Sequence, residues 1–131
     1  MLNAIGLQNV GVRAFVAEKL PELRRLGAVV IVNVCGTTVD EYVELARVLS
    51  DVEGVAGLEL NISCPNIEAG GISFGCDPAN TSAVVAAVRR ATSLPIIPKL
   101  TPNVTHIVPI ARAVVEGGFA LTELKAAGMS L

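Results

Sequence analysis

The run from Asn61 to Asn66, with the sequence NISCPN, places one thiol between two carboxamides. It follows an apolar stretch, residues 55–60, that reads as a strand. Parallel α/β proteins keep their chemistry at the ends of strands. There Cys64 can act as a base or nucleophile once its thiol pKa falls below the usual value of about 8.5, although free cysteine is often just a small buried residue. Asn61 and Asn66 can hold a planar, polar ring because carboxamides donate and accept hydrogen bonds without carrying charge.

Two further stretches carry candidate residues. Lys99 stands near the end of a second apolar run, residues 94–100. A buried ammonium without a partner is costly, so this lysine must reach solvent, a partner or a cavity. In a cavity it could stabilise an anionic cofactor edge or form a Schiff base. The segment 3–9 reads as a loop in which Gly6 would let the backbone approach a flat ligand, although Asn and Gly are also common in ordinary turns.

Composition favours a single α/β domain. The 131 residues are 52% hydrophobic but only 3% aromatic, with a mean hydropathy of +0.61. No apolar run approaches the roughly 18 residues of a membrane span, and no secretory signal is visible. A net charge of −2 argues against a nucleic-acid partner. The spacing of Cys35, Cys64 and Cys76 fits neither a disulfide framework nor a CxxC metal site. We therefore expect a reduced, cytoplasmic protein without a metal, in which Cys35 and Cys76 are packing or loop residues.

Strand and helix patterns alternate along the chain. We expect Pro21 to break the first helix into two, and residues 28–34 to form a strand buried on both faces. Thr38 and Glu41 have the spacing of a capping box at the start of a helix, and Asp77 followed by Pro78 predicts the start of another helix. Repeats of this kind give parallel βα units in a doubly wound sheet or a barrel. A complete barrel takes about 250 residues, so this chain would supply about half of one.

Three motifs, in this order, resemble the dihydroorotate dehydrogenases: Asn3-x-x-Gly6-Leu7-x-Asn9, the run from Asn61 to Asn66, and the strand-end Lys99. The resemblance extends from Met1 to about Gly118. It implies a partial (β/α)8 TIM barrel, with residues 1–131 forming a fragment of a single FMN-binding barrel domain. Residues 68–71 and 74–75 resemble the cytosolic, NAD-linked class. Its catalytic FMN subunit works with a second subunit that carries FAD and an iron-sulfur cluster.

The resemblance also implies an activity and roles for individual residues. The reaction would be FMN-dependent oxidation of dihydroorotate to orotate in pyrimidine biosynthesis, in a homodimer joined by the electron-transfer subunit. Cys64 would remove a proton from C5 while the C6 hydride passes to FMN, and the glycine-containing loop after it would form a lid. Substrate would be held by Asn3, Asn61, Asn66 and the backbone of Ile5, Gly6 and Leu7. The flavin would be held by Lys99, Asn33 and Asn61.

The chain also departs from the family pattern. The family's first strands, with a substrate-binding lysine, and its last strands, with the flavin-phosphate site, have no counterpart here. After Phe119 the likeness fails, and the sequence Thr122-Glu-Leu-Lys-Ala replaces a strand that ends in Asn-Thr. Two alternatives to an active dehydrogenase therefore remain open. One is an inactive, truncated barrel fragment, and the other is a Schiff-base lyase that uses Lys99.

Overall fold

The computed structural model describes residues 9–63 and 74–119, in which helices alternate with strands of one parallel sheet. The strands are β1 (Val30–Val34), β2 (Val55–Asn61) and β3 (Ile96–Lys99), with β2 in the middle. Before β1 come α1 (Val12–Ala14), a π-helical turn (Phe15–Lys19) and α2 (Leu20–Arg25); the strands are followed in turn by α3 (Val39–Ser50), α4 (Pro78–Ala91) and α5 (Ile107–Glu116). The predicted α/β class with parallel strands is confirmed.

The capping box predicted at the start of α3 is present. The hydroxyl of Thr38 accepts a hydrogen bond from the backbone N–H of Glu41 at 3.2 Å. The Glu41 carboxylate in turn accepts from the backbone N–H of Thr37 at 2.5 Å and from its hydroxyl at 2.8 Å. These hydrogen bonds, led by the one from the Thr37 backbone, hold the pKa of Glu41 below its usual value. Side chains therefore satisfy backbone donors that a helix start leaves unpaired.

Three of the prolines, Pro21, Pro78 and Pro109, lie in the first turn of a helix. At the start of a helix, as in α4 and α5, the missing N–H of proline removes no helix hydrogen bond. Pro78 begins α4, and the predicted N-cap Asp77 accepts from the N–H of Asn80 at 2.8 Å. Pro109 is the third residue of α5, so it removes no helix hydrogen bond. Pro21 lies in the first turn of α2, and a helix boundary does fall beside it. However, a π-helical turn joins α1 to α2 there, rather than a gap in the helix.

One face of the sheet packs against the helices and forms the core. Leu58 and Leu60 of β2 are fully buried, and Ile96 of β3 is 1% exposed. The valines predicted to form the inner face of α4 are also fully buried, at Val84, Val85 and Val88. Successive residues of a strand point to opposite faces of the sheet, and register partners point to the same face. The residues between these buried positions therefore point to the side of the sheet away from the helices.

The opposite face of the sheet is open at β1, and the prediction that β1 is buried on both faces is wrong. Ile31 is 39% exposed and Asn33 is exposed, whereas Val30 and Val34 on the helix side are buried. One edge of β1 also has no partner strand among the described residues. Along β1, Val30 and Val34 are therefore buried, whereas Ile31 and Asn33 are exposed.

We predict that Glu41→Gln lowers the free energy of unfolding by about 0.5 kcal/mol at pH 7, because it weakens the capping box. The pKa of Glu41 is lowered in the folded state, so its carboxylate stabilises the fold above the unfolded value of 4.5. That stabilisation is lost as the pH falls through the lower, folded pKa. In urea unfolding, Glu41→Gln should have a lower free energy of unfolding than wild type at pH 7. At pH 3 this difference should largely disappear.

Glu44→Gln provides the matched control, since Glu44 is an exposed carboxylate on the same helix. An equal loss of stability at both pH values, or the same loss in the control, would contradict the assignment.

Candidate functional site

The parallel sheet brings three predicted site residues to one edge. Asn61 ends β2 and Lys99 ends β3, and the two are Cα partners in the register. Asn33 precedes the last residue of β1 and lies on the same face, because its register partner Glu59 is two residues before Asn61. Neighbouring strands are about 4.8 Å apart, so Asn61 and Lys99 can contact the same small molecule.

The amides of Asn33 and Asn61 are oriented in opposite ways. The Asn33 amide nitrogen donates a hydrogen bond to Oε1 of Glu59. The Asn61 amide oxygen instead accepts one from the hydroxyl of Ser63, at 2.6 Å. Asn33 is exposed and therefore presents its carbonyl oxygen to a ligand. Asn61 is only 3% exposed, and the hydrogen bond from Ser63 leaves its NH₂ group as the donor for a ligand. Together they offer an acceptor and a donor at the carboxyl edge of the sheet.

Lys99 supplies a positive charge beside the Asn61 amide. Its side chain is exposed at the open face, and it forms no ion pair within 4.0 Å to any residue that the structure describes. Its ammonium is thus not neutralised by the described part of the chain. An anionic group bound at this edge would meet an electrostatically favourable position.

Buried contacts fix the end of β2. The Tyr42 hydroxyl donates to the backbone carbonyl of Asn61 at 2.7 Å, and the Tyr42 ring meets Phe74 edge to face at a centroid distance of 5.7 Å. The Thr81 hydroxyl donates to the carbonyl of Phe74. Gly75 has no room for a Cβ, because the carbonyl oxygen of Ile62 occupies that space. The residues on either side of 64–73 therefore meet beside Asn61.

A cavity of about 550 Å³ lies along β1 rather than over Asn61 and Lys99. Its wall includes the consecutive residues 32–35 of β1 and its flank, among them Asn33 and the half-buried Cys35. Consecutive strand residues point to opposite faces, so the cavity follows the unpaired edge of β1. Apolar side chains of α3 complete that wall at Leu45 and Leu49. A cavity with an apolar wall along an unpaired strand edge is better suited to bind a further strand or helix than a small ligand. Cys76, the other cysteine expected to have no chemical role, is exposed.

The remaining predicted site residues lie outside the described part of the chain: Cys64, Asn66, Asn3, Ile5, Gly6 and Leu7. The predicted lid is the connection from Ser63 to Gly75, of which residues 64–73 also lie outside the described part. Their roles stay predictions. In the described part, no group of three or more His, Cys, Asp and Glu residues could hold a metal ion, and no helix has the length and apolar character to cross a bilayer.

Sequence reasoning missed Glu59. The stretch 55–60 reads as uniformly apolar when taken as a block, because its other residues are Val, Ala, Gly and Leu. Reading alternate positions would have shown Gly57, Glu59 and Asn61 on one face and leucines on the other. That alternation is the signal that separates the chemical face of β2 from its core face.

Comparison with known proteins establishes the family. The family model described as dihydroorotate dehydrogenase matches residues 1–129. This chain belongs to the dihydroorotate dehydrogenase family. The match confirms the resemblance and the partial (β/α)8 barrel, and it extends past Gly118, where the likeness was expected to end.

Individual dihydroorotate dehydrogenases show how much of the fold this chain covers. Proteins named dihydroorotate dehydrogenase B (NAD(+)), catalytic subunit, from Pelobacter propionicus and Geotalea daltonii are each 58% identical over 118 residues, which is 90% of this chain. A putative dihydroorotate dehydrogenase A (fumarate) from Solibacter usitatus is 53% identical over 118 residues. The chain spans 39% of the length of each of these relatives.

Dihydroorotate dehydrogenases are flavoproteins, and the described residues fit such a group. A flavin presents carbonyl oxygens and a ring N–H along its pyrimidine edge. The Asn61 NH₂ group, the Asn33 oxygen and the Lys99 ammonium match those groups in hydrogen-bonding sense and in charge. The match rests on the chemistry of the three side chains at one sheet edge.

We predict that Tyr42→Phe lowers the free energy of unfolding by about 1–3 kcal/mol, because the backbone carbonyl of Asn61 loses the buried hydrogen bond from the Tyr42 hydroxyl. The substitution keeps the ring against Phe74. Ser50→Ala is the control, since its hydroxyl bonds the Ala46 carbonyl at 2.7 Å at the far end of the same helix.

Both substitutions should cost stability in urea unfolding. Only Tyr42→Phe should accelerate hydrogen exchange of the backbone amides of Ile62 and Ser63. Unchanged exchange there would show that Tyr42 does not hold the end of β2.

Proposed function

We propose that this chain carries the flavin and substrate site of an enzyme that oxidises dihydroorotate to orotate in pyrimidine biosynthesis. The observation that supports this most directly is the pairing of Asn61 with Lys99 at the carboxyl end of a parallel sheet, with Asn33 on the same face of the neighbouring strand, in a chain of the dihydroorotate dehydrogenase family. The activity would belong to the whole protein, since the relatives are longer than this chain.

Cys64 is the proposed general base, three residues after Asn61. Its thiolate takes the proton from C5 of dihydroorotate, which the neighbouring carbonyl makes acidic, and a double bond forms between C5 and C6. A base works best with a pKa near the operating pH, a condition that a cysteine at a polar strand end can meet. FMN, when bound, accepts the hydride that leaves C6.

The proposed binding roles follow the hydrogen-bonding sense of each group. Asn61 donates from its NH₂ group to a ring carbonyl, and it stands where the flavin and the substrate meet. Lys99 attracts the negative charge that develops on the reduced flavin, while Asn33 accepts from the flavin. Substrate contacts are proposed for Asn3, Asn66 and the backbone of Ile5, Gly6 and Leu7.

The electron acceptor is proposed to be NAD, reached through a second subunit with FAD and an iron-sulfur cluster. Relatives named as NAD(+)-dependent catalytic subunits support this, as does the likeness of residues 68–71 and 74–75 to that class. A homodimer of the catalytic subunit and a cytoplasmic location belong to the same proposal. The relative named for fumarate identifies the competing acceptor.

The first test concerns the base. The host is a graft in which this chain replaces the matching residues of the P. propionicus relative. We predict that Cys64→Ser in the graft lowers kcat for dihydroorotate by about 10²–10⁴-fold at neutral pH, because a serine hydroxyl is far less acidic than a thiol. FMN content should not change. Cys76→Ser is the control, since Cys76 is an exposed cysteine. Retained activity in Cys64→Ser, with FMN bound, would show that Cys64 is not the base.

The second test concerns Lys99. We predict that Lys99→Met weakens FMN binding to the graft by about tenfold, because a charge-assisted interaction is lost. Lys19→Met, which removes an exposed lysine from the π-helical turn, should leave binding unchanged. Titration followed by flavin fluorescence measures the dissociation constants.

The same titration separates the alternatives. FMN binding to the graft but not to the chain of 131 residues alone would identify the isolated chain as an inactive fragment. Borohydride trapping of a carbonyl substrate on Lys99 without flavin would favour the Schiff-base lyase and overturn the dehydrogenase proposal.

A further inference from the structure

Glu59 is a carboxylate among aliphatic and small residues in the middle of β2. It is half-buried, and its Cα partners are Asn33 on β1 and Ile97 on β3. It therefore lies between the two neighbouring strands on the open face, two residues before Asn61. A charged residue at such a position needs a polar partner, because partial burial weakens its hydration.

The partner of Glu59 is the Asn33 amide nitrogen. An ionised carboxylate can only accept hydrogen bonds, whereas a carboxamide can donate from one side and accept on the other. Glu59 thus determines which way the Asn33 amide turns. With its nitrogen held by Glu59, the Asn33 oxygen is left for a ligand.

Lys99 is the second polar group near Glu59, placed diagonally across the β2–β3 pair. Its Cα partner is Asn61, so the Cα atoms of Glu59 and Lys99 are about 8 Å apart from strand spacing and rise. The two side chains do not form an ion pair within 4.0 Å in the described structure. The hydrogen bond from Asn33 therefore satisfies the Glu59 carboxylate, and the Lys99 ammonium keeps its positive charge. The negative charge of Glu59 is still close enough to influence a ligand bound beside Lys99.

We propose that Glu59 is a positioning residue of the flavin site, which holds the Asn33 amide so that its oxygen accepts a hydrogen bond from the ring N–H of the flavin. Glu59 touches neither the flavin nor the substrate and acts through Asn33. Its charge also opposes the build-up of negative charge on the reduced flavin near Lys99. This inference rests on the proposed function, because it takes the ligand of this sheet edge to be a flavin.

The test uses the graft and two flavins, FMN and its N3-methyl analogue, which lacks the ring N–H. We expect wild type to bind FMN about fivefold or more tightly than the analogue, the worth of one hydrogen bond. Glu59→Leu should reduce this preference to about twofold or less, because the Asn33 amide is then free to turn its nitrogen toward the ligand. Glu44→Gln, on the surface of α3, should keep the wild-type preference.

A reciprocal exchange separates positioning from a merely structural role. Asn33→Asp alone places two carboxylates against each other and should weaken FMN binding. In the double variant Asn33→Asp with Glu59→Gln, the glutamine NH₂ group donates to the aspartate, which again offers an oxygen to the ligand. Binding of FMN and its preference over the analogue should recover in the double variant, a coupling that independent effects would not produce.

The reduction potential of the bound flavin gives a second readout. Glu59→Gln removes a negative charge near the flavin, so the potential should become more positive, whereas Glu44→Gln should leave it unchanged. If wild-type graft binds no FMN, the proposed function fails. If wild type binds FMN and oxidises dihydroorotate, but the Glu59 variants retain both the preference for FMN and the potential, only the present inference is overturned.

Discussion

The parallel pairing of β2 with both of its neighbours is the constraint on which the candidate site depends. Parallel strands end at the same edge of a sheet, and residues in register share a face. Asn61 and Lys99 are therefore neighbours although 37 intervening residues separate them in the chain. Asn33 joins them from β1 through its register with Glu59. A slip of one residue in either pairing would send these side chains to the helix side of the sheet.

The helices make that register specific. Leucines of β2 and valines of α4 are fully buried on the helix side, so a slipped strand would place polar residues in an apolar core. The end of β2 is held more tightly still, by the Tyr42 hydroxyl on the Asn61 carbonyl and by Gly75 against Ile62. Packing on one side of the sheet thus positions chemistry on the other.

Among the described residues, the open face and the outer edges of β1 and β3 fit a chain that spans only part of the family fold. The chain spans 39% of the length of the relatives that it matches, and the family fold is a closed barrel. In a closed barrel the open face would line the interior, and β1 and β3 would each gain a neighbour. The exposure of Ile31 and the cavity along β1 are the places where those neighbours would contribute.

Local signals in the sequence were sufficient for the elements and for the family. The capping box at Thr38, the N-cap at Asp77 and the valines of α4 were predicted, because each depends on residues within one or two turns of a helix. The resemblance to the dihydroorotate dehydrogenases was likewise carried by short motifs, and two of its three flavin-binding candidates, Asn61 and Lys99, are register partners.

Tertiary structure alone decided which faces are covered and which polar groups meet. Residues 28–34 read as a strand buried on both sides, because apolar composition does not reveal whether a second layer is present. The Asn33–Glu59 hydrogen bond joins residues 26 positions apart, and it exists only because two strands pair in one register. Composition and periodicity describe a few neighbouring residues, so the sequence predicted the helices and strands. The pairing of strands and the covering of a sheet face depend on distant parts of the chain. Only the tertiary structure could therefore bring the site residues together.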